Sequence, residues 1–278
     1  MKIIECPRDA MQGISEFIPT NIKAAYINQL LRVGFDTIDF GSFVSPKAIP
    51  QLRDTAKVLA QLDLENTNSK LLSIIANTRG AVEACSFEEI DYLGFPLSVS
   101  EQFQKRNTNK SIIQALSVLE KIQNLSVNNK KKLVVYLSMA FGNPYEENYN
   151  PEIVAKLTEK LYDMGVGIVA LSDTIGVSSP ENIAPLFDSL IKEYSTIEFG
   201  AHFHTTKDAC EEKAAAAYLG GCRRFDAALK GFGGCPMVKD DLVGNMPTEK
   251  LITYFNEDLR LDLLELKKSL KLSATVFK

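Results

Sequence analysis

Apolar and polar residues follow a unit that recurs along the chain. A helix-like segment with an apolar face ends at a glycine and is followed directly by a short β-rich run. The segment that ends at Gly34 leads into residues 35–40, and those that end at Gly165 and Gly221 lead into 166–171 and 222–229. Because glycine readily adopts the left-handed conformation that closes a helix, each of these glycines predicts a turn from helix to strand.

Eight strands and six helices fit this pattern. The strands are predicted at residues 2–6, 35–40, 71–76, 90–97, 133–139, 166–171, 197–203 and 222–229, and the helices at 22–33, 49–60, 109–125, 151–164, 180–194 and 207–219. Alternating strands and helices favour a parallel sheet. Eight such units predict an α/β fold, a single (β/α)8 TIM-barrel domain over residues 1–278, although the count alone also fits an open doubly wound sheet. Residues 257–278 are expected to form short closing helices.

The composition is that of a globular, enzyme-sized protein. The 278 residues are 45% hydrophobic, which is enough for one large core. A formal net charge of −4 and a pI near 5.4 argue against a surface for nucleic acid or for an anionic membrane. Five scattered cysteines without a Cys-x-x-Cys pair indicate reduced thiols, and no apolar run reaches the roughly 18 residues of a membrane span. We therefore expect a cytoplasmic protein.

The only two histidines of the chain are His202 and His204, at the end of the seventh predicted strand. Residues i and i+2 of a strand point to the same face, so both imidazoles can reach a single metal ion. The alternative is a pair of histidines that face solvent or are satisfied within the core. The spacing makes a metal site the first hypothesis.

Other ionisable residues also gather where the predicted strands end. They are Arg8 and Asp9 after the first strand, Asp39 at the end of the second, Glu101 past the fourth and Asp173 after the sixth. Barrel enzymes carry their chemistry at this end of the strands. Each acid could instead cap a helix. Their shared position nevertheless predicts an active site at this end of the barrel.

Five motifs resemble the 3-hydroxy-3-methylglutaryl-CoA (HMG-CoA) lyase family. In chain order they are Pro7-Arg8-Asp9-Ala10-Met11-Gln12, Ser42-Phe43-Val44-Ser45-Pro46-Lys47, Asn143-Pro144-Tyr145-Glu146, Ser172-Asp173-Thr174-Ile175-Gly176-Val177 and Gly231-Phe232-Gly233-Gly234-Cys235-Pro236. They span the chain from about residue 3 to residue 250 and keep the order of a barrel. Chance is a poor explanation for five ordered motifs.

The resemblance implies a divalent-cation site. In the family the matching positions bind the cation, and they correspond here to Asp9, His202, His204 and Asn245. Carboxylate, imidazole and amide oxygen ligands with open water positions suit Mg²⁺ or Mn²⁺ better than a closed zinc site. Without the resemblance to this family, Asn245 would be interpreted as an ordinary loop or cap residue.

The resemblance also implies a reaction, the retro-Claisen cleavage of HMG-CoA to acetyl-CoA and acetoacetate. Arg8 would neutralise the thioester enolate oxygen, and Cys235 would donate or accept the proton. Asp39 and Asp173 would orient these groups, and Arg8, Gln12 and Ser42 would bind substrate. For Cys235 the alternative is a small packing residue. The expected partner is an acyl-CoA substrate, with a homodimer as a further expectation.

The sequence departs from the family at four places, one of them a loop from Cys235 to Asn245 that is one residue longer, and this leaves the substrate open. Asp39 stands where the family has glutamate, and an acid shorter by one methylene is expected to need a water to reach its partner. Thr205 replaces an aspartate, and residues 13–15 replace Asn-Glu-Lys. A related acyl group therefore stays possible. Two other functions compete, namely a Claisen-condensing synthase or metal-dependent aldolase of the same superfamily, and a non-catalytic metal-binding barrel.

Overall fold

Eight parallel strands close into a barrel in a computed structural model that describes residues 1–234 and 243–277. The strands are β1 Lys2–Glu5, β2 Thr37–Ser42, β3 Lys70–Ile74, β4 Tyr92–Ser98, β5 Lys132–Ser138, β6 Ile168–Asp173, β7 Glu198–Thr205 and β8 Arg224–Ala227. Each pairs with its neighbours in the chain, and β8 returns to β1, which closes the ring. The predicted (β/α)8 barrel is confirmed.

Helices cover the outside of the barrel. They are α1 Pro7–Gln12, α2 Thr20–Leu31, α3 Thr55–Leu59, α4 Thr78–Cys85, α5 Glu101–Thr108, α6 Ile112–Asn128, α7 Pro151–Asp163, α8 Pro180–Glu193, α9 Cys210–Leu219, α10 Thr248–Tyr254 and α11 Leu263–Val276. The helix predicted at 49–60 is instead a 3-10 turn, Pro50–Leu52, followed by α3. Among the described residues, no helix is long and apolar enough to cross a membrane.

Four short helices of the described chain were not predicted, and one of them corrects a candidate site residue. Helices α1, α4, α5 and α10 are each six to eight residues long, too short to show a clear apolar period. Glu101 begins α5, where its carboxylate accepts the backbone N–H of Ile112 at 2.9 Å and pairs with Lys105. It therefore ties two helices together and does not join the other ionisable residues.

The barrel has two apolar regions because side chains alternate across each strand. Inward-facing residues form a small interior cluster, which comprises Leu72, Val134, Tyr136, Ile168 and Ala170. Outward-facing residues pack against the helices in the main core. The interior cluster fills the barrel below the carboxyl ends of the strands. Inward-facing polar side chains further along the same strands therefore point into the mouth of the barrel.

Glu5 is a carboxylate buried between the barrel and its covering segments. It is 0% exposed, and it accepts the backbone N–H of Leu229 at 2.9 Å and the hydroxyl of Thr248. Burial raises the pKa of Glu5 to about 8, against a partial opposing effect of these two hydrogen bonds. Glu5 therefore joins β1 to the segments that follow β8, and it carries a proton at neutral pH.

Replacing Glu5 by glutamine should change how stability depends on pH. An unfolded Glu5 ionises near 4.5 and the folded one near 8, so the parent loses stability as pH rises from about 5 to about 8. The variant lacks this loss. We expect Glu5→Gln to gain roughly 5 °C in Tm relative to the parent between pH 5 and pH 8.5, measured by thermal unfolding with chelator present. The exposed Glu16→Gln is the matched control, and equal pH profiles for Glu5→Gln and the parent would contradict the assignment.

Candidate metal centre and active site

A pocket of about 600 Å³ opens at the carboxyl ends of the strands. Its floor is made by polar side chains from β1–α1 and β7, and its mouth by residues of α5 and the turn after it. The site residues that line it are Arg8, Asp9, Gln12, His202 and His204. The barrel thus brings together, in one pocket, five residues that the sequence predicted for the site.

Asp9, His202 and His204 form a cluster of candidate metal ligands. One carboxylate oxygen of Asp9 and one nitrogen of each histidine all lie within 4.8 Å of one another. Asp9 lies in the first turn of α1, which begins directly after β1, and both histidines lie on the inner face of β7. Atoms at this spacing can all contact a single divalent cation.

Hydrogen bonds hold both imidazoles with one nitrogen free for a cation. His204 Nδ1 lies 2.9 Å from the carbonyl oxygen of Thr174, which can only accept, so Nδ1 carries the proton. His204 Nε2 is then a lone-pair donor, and it is buried with no hydrogen-bond partner among the described residues. His202 Nδ1 lies 3.1 Å from Asp226 Oδ2. A carboxylate or carbonyl behind each imidazole is the usual support of a metal ligand.

The charges of the cluster also fit a cation. Burial lowers the pKa of His204, and the neighbouring His202 lowers it further, so the neutral, ligating form is favoured. Burial alone would raise the pKa of Asp9, but Arg8 and the two histidines outweigh it and lower that pKa below its usual value. Burial alone would lower the pKa of His202, but the hydrogen bond and charge of Asp226 outweigh it and raise that pKa. An ionised Asp9 thus faces a neutral His204, and carboxylate and imidazole together fit a divalent ion.

Asn245 lies beside this cluster. It ends the two-residue strand β9, Gly244–Asn245, which pairs antiparallel with β7 and sets Asn245 opposite His204. Its amide nitrogen donates to Asp9 Oδ2 at 2.7 Å and to the carbonyl of Phe232 at 2.9 Å. The amide oxygen is the atom left to bind a cation. The role of Asn245 as a ligand stays a prediction.

Arg8 is held by three side chains around the cluster. Its Nε and Nη2 donate to Asp39 Oδ2 at 3.0 and 2.6 Å, and its Nη1 donates to Asp9 and to Gln12 at 2.8 and 2.9 Å. The expectation that Asp39 reaches its partner through water is wrong. Because α1 directly follows β1 and β1 pairs with β2, the shorter acid already contacts the guanidinium. Arg8 is thereby fixed beside the cluster.

Asp173 and Ser42 lie next to the pocket, and their side chains form hydrogen bonds with backbone groups. The Asp173 carboxylate accepts the backbone N–H groups of Val177 and Ser178 at 3.0 and 2.9 Å and pairs with buried Lys213 at 3.0 Å. It thereby holds the turn that begins with Thr174, and its role in orienting the reacting groups stays a prediction. The Ser42 hydroxyl donates to the carbonyl of Ile74 at 3.2 Å. Its predicted contact with substrate stays a prediction.

Cys235 lies outside the described residues, so its catalytic role stays a prediction. The preceding Gly233 is described and lies against the cluster. Its φ is +84°, and a Cβ built on it would come within 2.7 Å of the Asp9 carbonyl oxygen and of Ala10 Cα. Only glycine fits such a close approach of two backbones. The segment that carries Cys235 therefore leaves from a point that touches α1.

Sequence reasoning missed four residues that support the site, namely Asp226, Thr174, Lys213 and Tyr136. Asp226 is an acid within β8, and its alternation with Phe225 and Ala227 could have marked it as an inward-facing polar residue. Lys213 is a lysine buried on α9, where the helix is otherwise rich in alanine. Thr174 acts through its backbone carbonyl, which leaves no signal in the sequence.

Comparison with known proteins identifies the relatives of this chain. The family model described as HMGL-like matches residues 2–276. The hydroxymethylglutaryl-CoA lyase of Bacillus subtilis is 31% identical over 274 residues, which cover 96% of this chain and 86% of that protein. The cytoplasmic 3-hydroxy-3-methylglutaryl-CoA lyase of Rattus norvegicus is 32% identical over 257 residues, which cover 92% and 74%.

Solved structures give the same result. An HMG-CoA lyase from Brucella melitensis superposes with a TM-score of 0.91 at 29% identity, covering 99% of this chain and 97% of that one. An HMG-CoA lyase from Acinetobacter baumannii, in complex with coenzyme A and 3-methylmalate, superposes with a TM-score of 0.91 at 30% identity, covering 99% and 90%. The resemblance predicted from the five motifs is confirmed, and the chain belongs to the HMGL-like family.

Proposed function

We propose that this protein is a divalent-cation-dependent carbon–carbon lyase that cleaves HMG-CoA to acetyl-CoA and acetoacetate. The observation that carries the proposal is the cluster of Asp9, His202 and His204 with Arg8 hydrogen-bonded to its carboxylate, on the floor of one pocket. This arrangement occurs in a chain of the HMGL-like family whose relatives are named HMG-CoA lyases. Metal-ligand geometry and family membership therefore support the same chemistry.

The cation site uses four residues of this chain. Asp9, His202, His204 and Asn245 would hold Mg²⁺ or Mn²⁺, which when bound would polarise the tertiary hydroxyl of the substrate. The unpartnered Nε2 of buried His204 supports this assignment, since a buried polar atom normally has a partner. Asp226 and the Thr174 carbonyl keep the two imidazoles oriented for ligation.

The chemical step needs a base, an electrophile and an acid. Loss of the hydroxyl proton drives cleavage of the bond between C2 and C3, and the electron pair passes into the thioester as an enolate that is then protonated on carbon. Arg8 supplies the electrophile. Burial alone would lower the pKa of its guanidinium, but Asp39 and Asp9 outweigh burial and raise that pKa, so the group stays charged beside the pocket. Cys235 is the proposed proton carrier, and Asp39 fixes the plane of Arg8.

The residues at the mouth of the pocket can bind coenzyme A, the carrier of the acyl group. Arg106 and Lys110 line it together with Asn107 and Asn109, at the end of α5 and in the turn that follows. Cationic and amide groups at the rim can bind the phosphates of coenzyme A, for which the chain has no glycine-rich phosphate loop. The Acinetobacter baumannii structure, solved with coenzyme A, supports an acyl-CoA substrate.

A turnover assay tests the proposal. The protein is incubated with HMG-CoA and Mn²⁺ or Mg²⁺, and acetoacetate and acetyl-CoA are measured separately. We expect both products in equal amounts, loss of activity with chelator, and its return with added cation. The Asp9→Asn variant is the negative control. Condensation of acetyl-CoA with a keto acid and no cleavage would identify a synthase, and cation binding without turnover of any 3-hydroxyacyl-CoA would identify a non-catalytic barrel.

A further inference from the structure

Arg224 lies on β8 inside the barrel, two residues before Asp226. It is 0% exposed, and its Nε, Nη1 and Nη2 atoms have no hydrogen-bond partner within residues 1–234 and 243–277. Its guanidinium also forms no ion pair with a carboxylate in that part of the chain. A charged group buried in this way is strongly destabilising unless it is solvated or paired. The position of Arg224 therefore needs a physical explanation.

The barrel is shaped around this side chain. Gly200 of β7 is the register partner of Arg224, and a Cβ built on Gly200 would lie 3.1 Å from Arg224 Cδ and 3.3 Å from Cγ. The guanidinium carbon lies 5.6 Å from the centre of the Tyr92 ring, within cation–π range. Because Gly200 has no side chain, it leaves the space that the aliphatic part of Arg224 fills. The barrel therefore accommodates the buried arginine.

Two more orphan polar atoms lie in the barrel interior above Arg224. They are Asp226 Oδ1 and the hydroxyl of Tyr136, both buried without a hydrogen-bond partner in the described chain. Asp226 follows Arg224 at i+2, so both side chains are on the inner face of β8. A guanidinium donates only, a carboxylate accepts only and a phenol does both. The three groups are complementary as donors and acceptors, and buried waters can bridge them.

The other oxygen of the same carboxylate supports the candidate metal ligand. Asp226 Oδ2 lies 3.1 Å from His202 Nδ1, and these two residues pair two positions further along the strands than Gly200 and Arg224. The Tyr136 ring meets the His202 ring edge-on at 5.4 Å between centroids. Whatever orients the Asp226 carboxylate therefore also orients the His202 imidazole.

We propose that Arg224 is a positioning residue for His202, acting through buried water and the Asp226 carboxylate. Hydrogen bonds donated by the guanidinium and relayed by water to Oδ1 hold the carboxylate so that Oδ2 accepts the Nδ1–H of His202. The Nε2 lone pair then faces Asp9 and His204. This inference rests on the metal role proposed above for His202.

Arg224→Met tests the relay, because methionine fills the stem volume without charge or donors. The matched control is Arg223→Met, which removes a cation from the exposed neighbouring position. Nitrogen-15 labelling of the two histidines reports their tautomers in the metal-free protein, with His204 as internal reference. We expect His202 to change from the Nδ1–H tautomer in the parent to a mixture in Arg224→Met, and Mn²⁺ affinity to fall about tenfold. Arg223→Met should match the parent, and Arg224→Lys should restore most of both readouts.

Three results would overturn the relay. They are an unchanged His202 tautomer in Arg224→Met, a tighter Mn²⁺ affinity in that variant, and a direct ion pair or bound anion in place of bridging water in a crystal structure of the parent. The crystal structure decides the question even if Arg224→Met does not fold. The tautomer measurement needs no metal, so a wrong cation assignment would show separately, as absence of Mn²⁺ binding to the parent.

Discussion

Arg8→Gln is expected to lower kcat for HMG-CoA cleavage by about a thousandfold while Mn²⁺ still binds. Glutamine removes the charge that would stabilise the enolate oxygen, and losing one such group typically costs two to three orders of magnitude. The variant leaves the candidate cation ligands Asp9, His202 and His204 unchanged. Steady-state kinetics and calorimetric titration with Mn²⁺ on the same preparation separate these two effects.

The folding state of Arg8→Gln has to be measured alongside. Asp39 is fully buried, and removing its partner leaves an unpaired carboxylate, which typically costs about 3–5 kcal/mol. Arg32→Gln, an exposed arginine after α2, is the control for the same change of charge. A folded Arg8→Gln that turns over near the parental rate would remove Arg8 from the chemistry.

His204→Ala is expected to weaken Mn²⁺ binding by at least about a hundredfold. Loss of a supporting residue behind a ligand already costs ten- to a hundredfold, and His204 is proposed as a ligand itself. The barrel should stay folded, because the variant loses only one hydrogen bond, from Nδ1 to the Thr174 carbonyl, and Nε2 has no partner in the described chain. Calorimetry or electron paramagnetic resonance of Mn²⁺ measures the change.

Lys207→Ala, an exposed substitution three residues further on, is the control for His204→Ala. It alters charge near β7 without touching the cluster. Equal Mn²⁺ affinity in His204→Ala and the parent would show that the two histidines are packing residues, which is the alternative that their spacing left open. The HMG-CoA assay would then have to be explained without this cation site.

The sequence predicted the barrel and the centre of the site because both depend on local patterns. Gly34 and Gly165 mark helix-to-strand turns within a few residues, and the i, i+2 spacing of His202 and His204 fixes their common face. Asp9 was found by its place directly after β1. Each of these signals lies within one element, so knowledge of the rest of the fold was not needed.

The supporting contacts could not be predicted because they depend on register between strands. Asp226 reaches His202 only because β7 and β8 pair with these two residues opposite each other. Asp39 reaches Arg8 directly because the first turn of α1 lies above β2, and a one-residue shift of either strand would break the contact. The burial of the Arg224 guanidinium likewise gave no signal, because its place in the predicted strand 222–229 did not show which face of the sheet the side chain is on.

The loop between β8 and α10 is fastened at both ends to the candidate cation ligands. Gly233 touches the backbone of Asp9 and Ala10, and Asn245 lies opposite His204 in β9. We therefore expect that the residues between these two anchors, apart from Cys235, can be exchanged with those of a relative without moving the candidate ligands. Such loop grafts offer a way to alter substrate preference in this barrel while its affinity for the cation is kept constant.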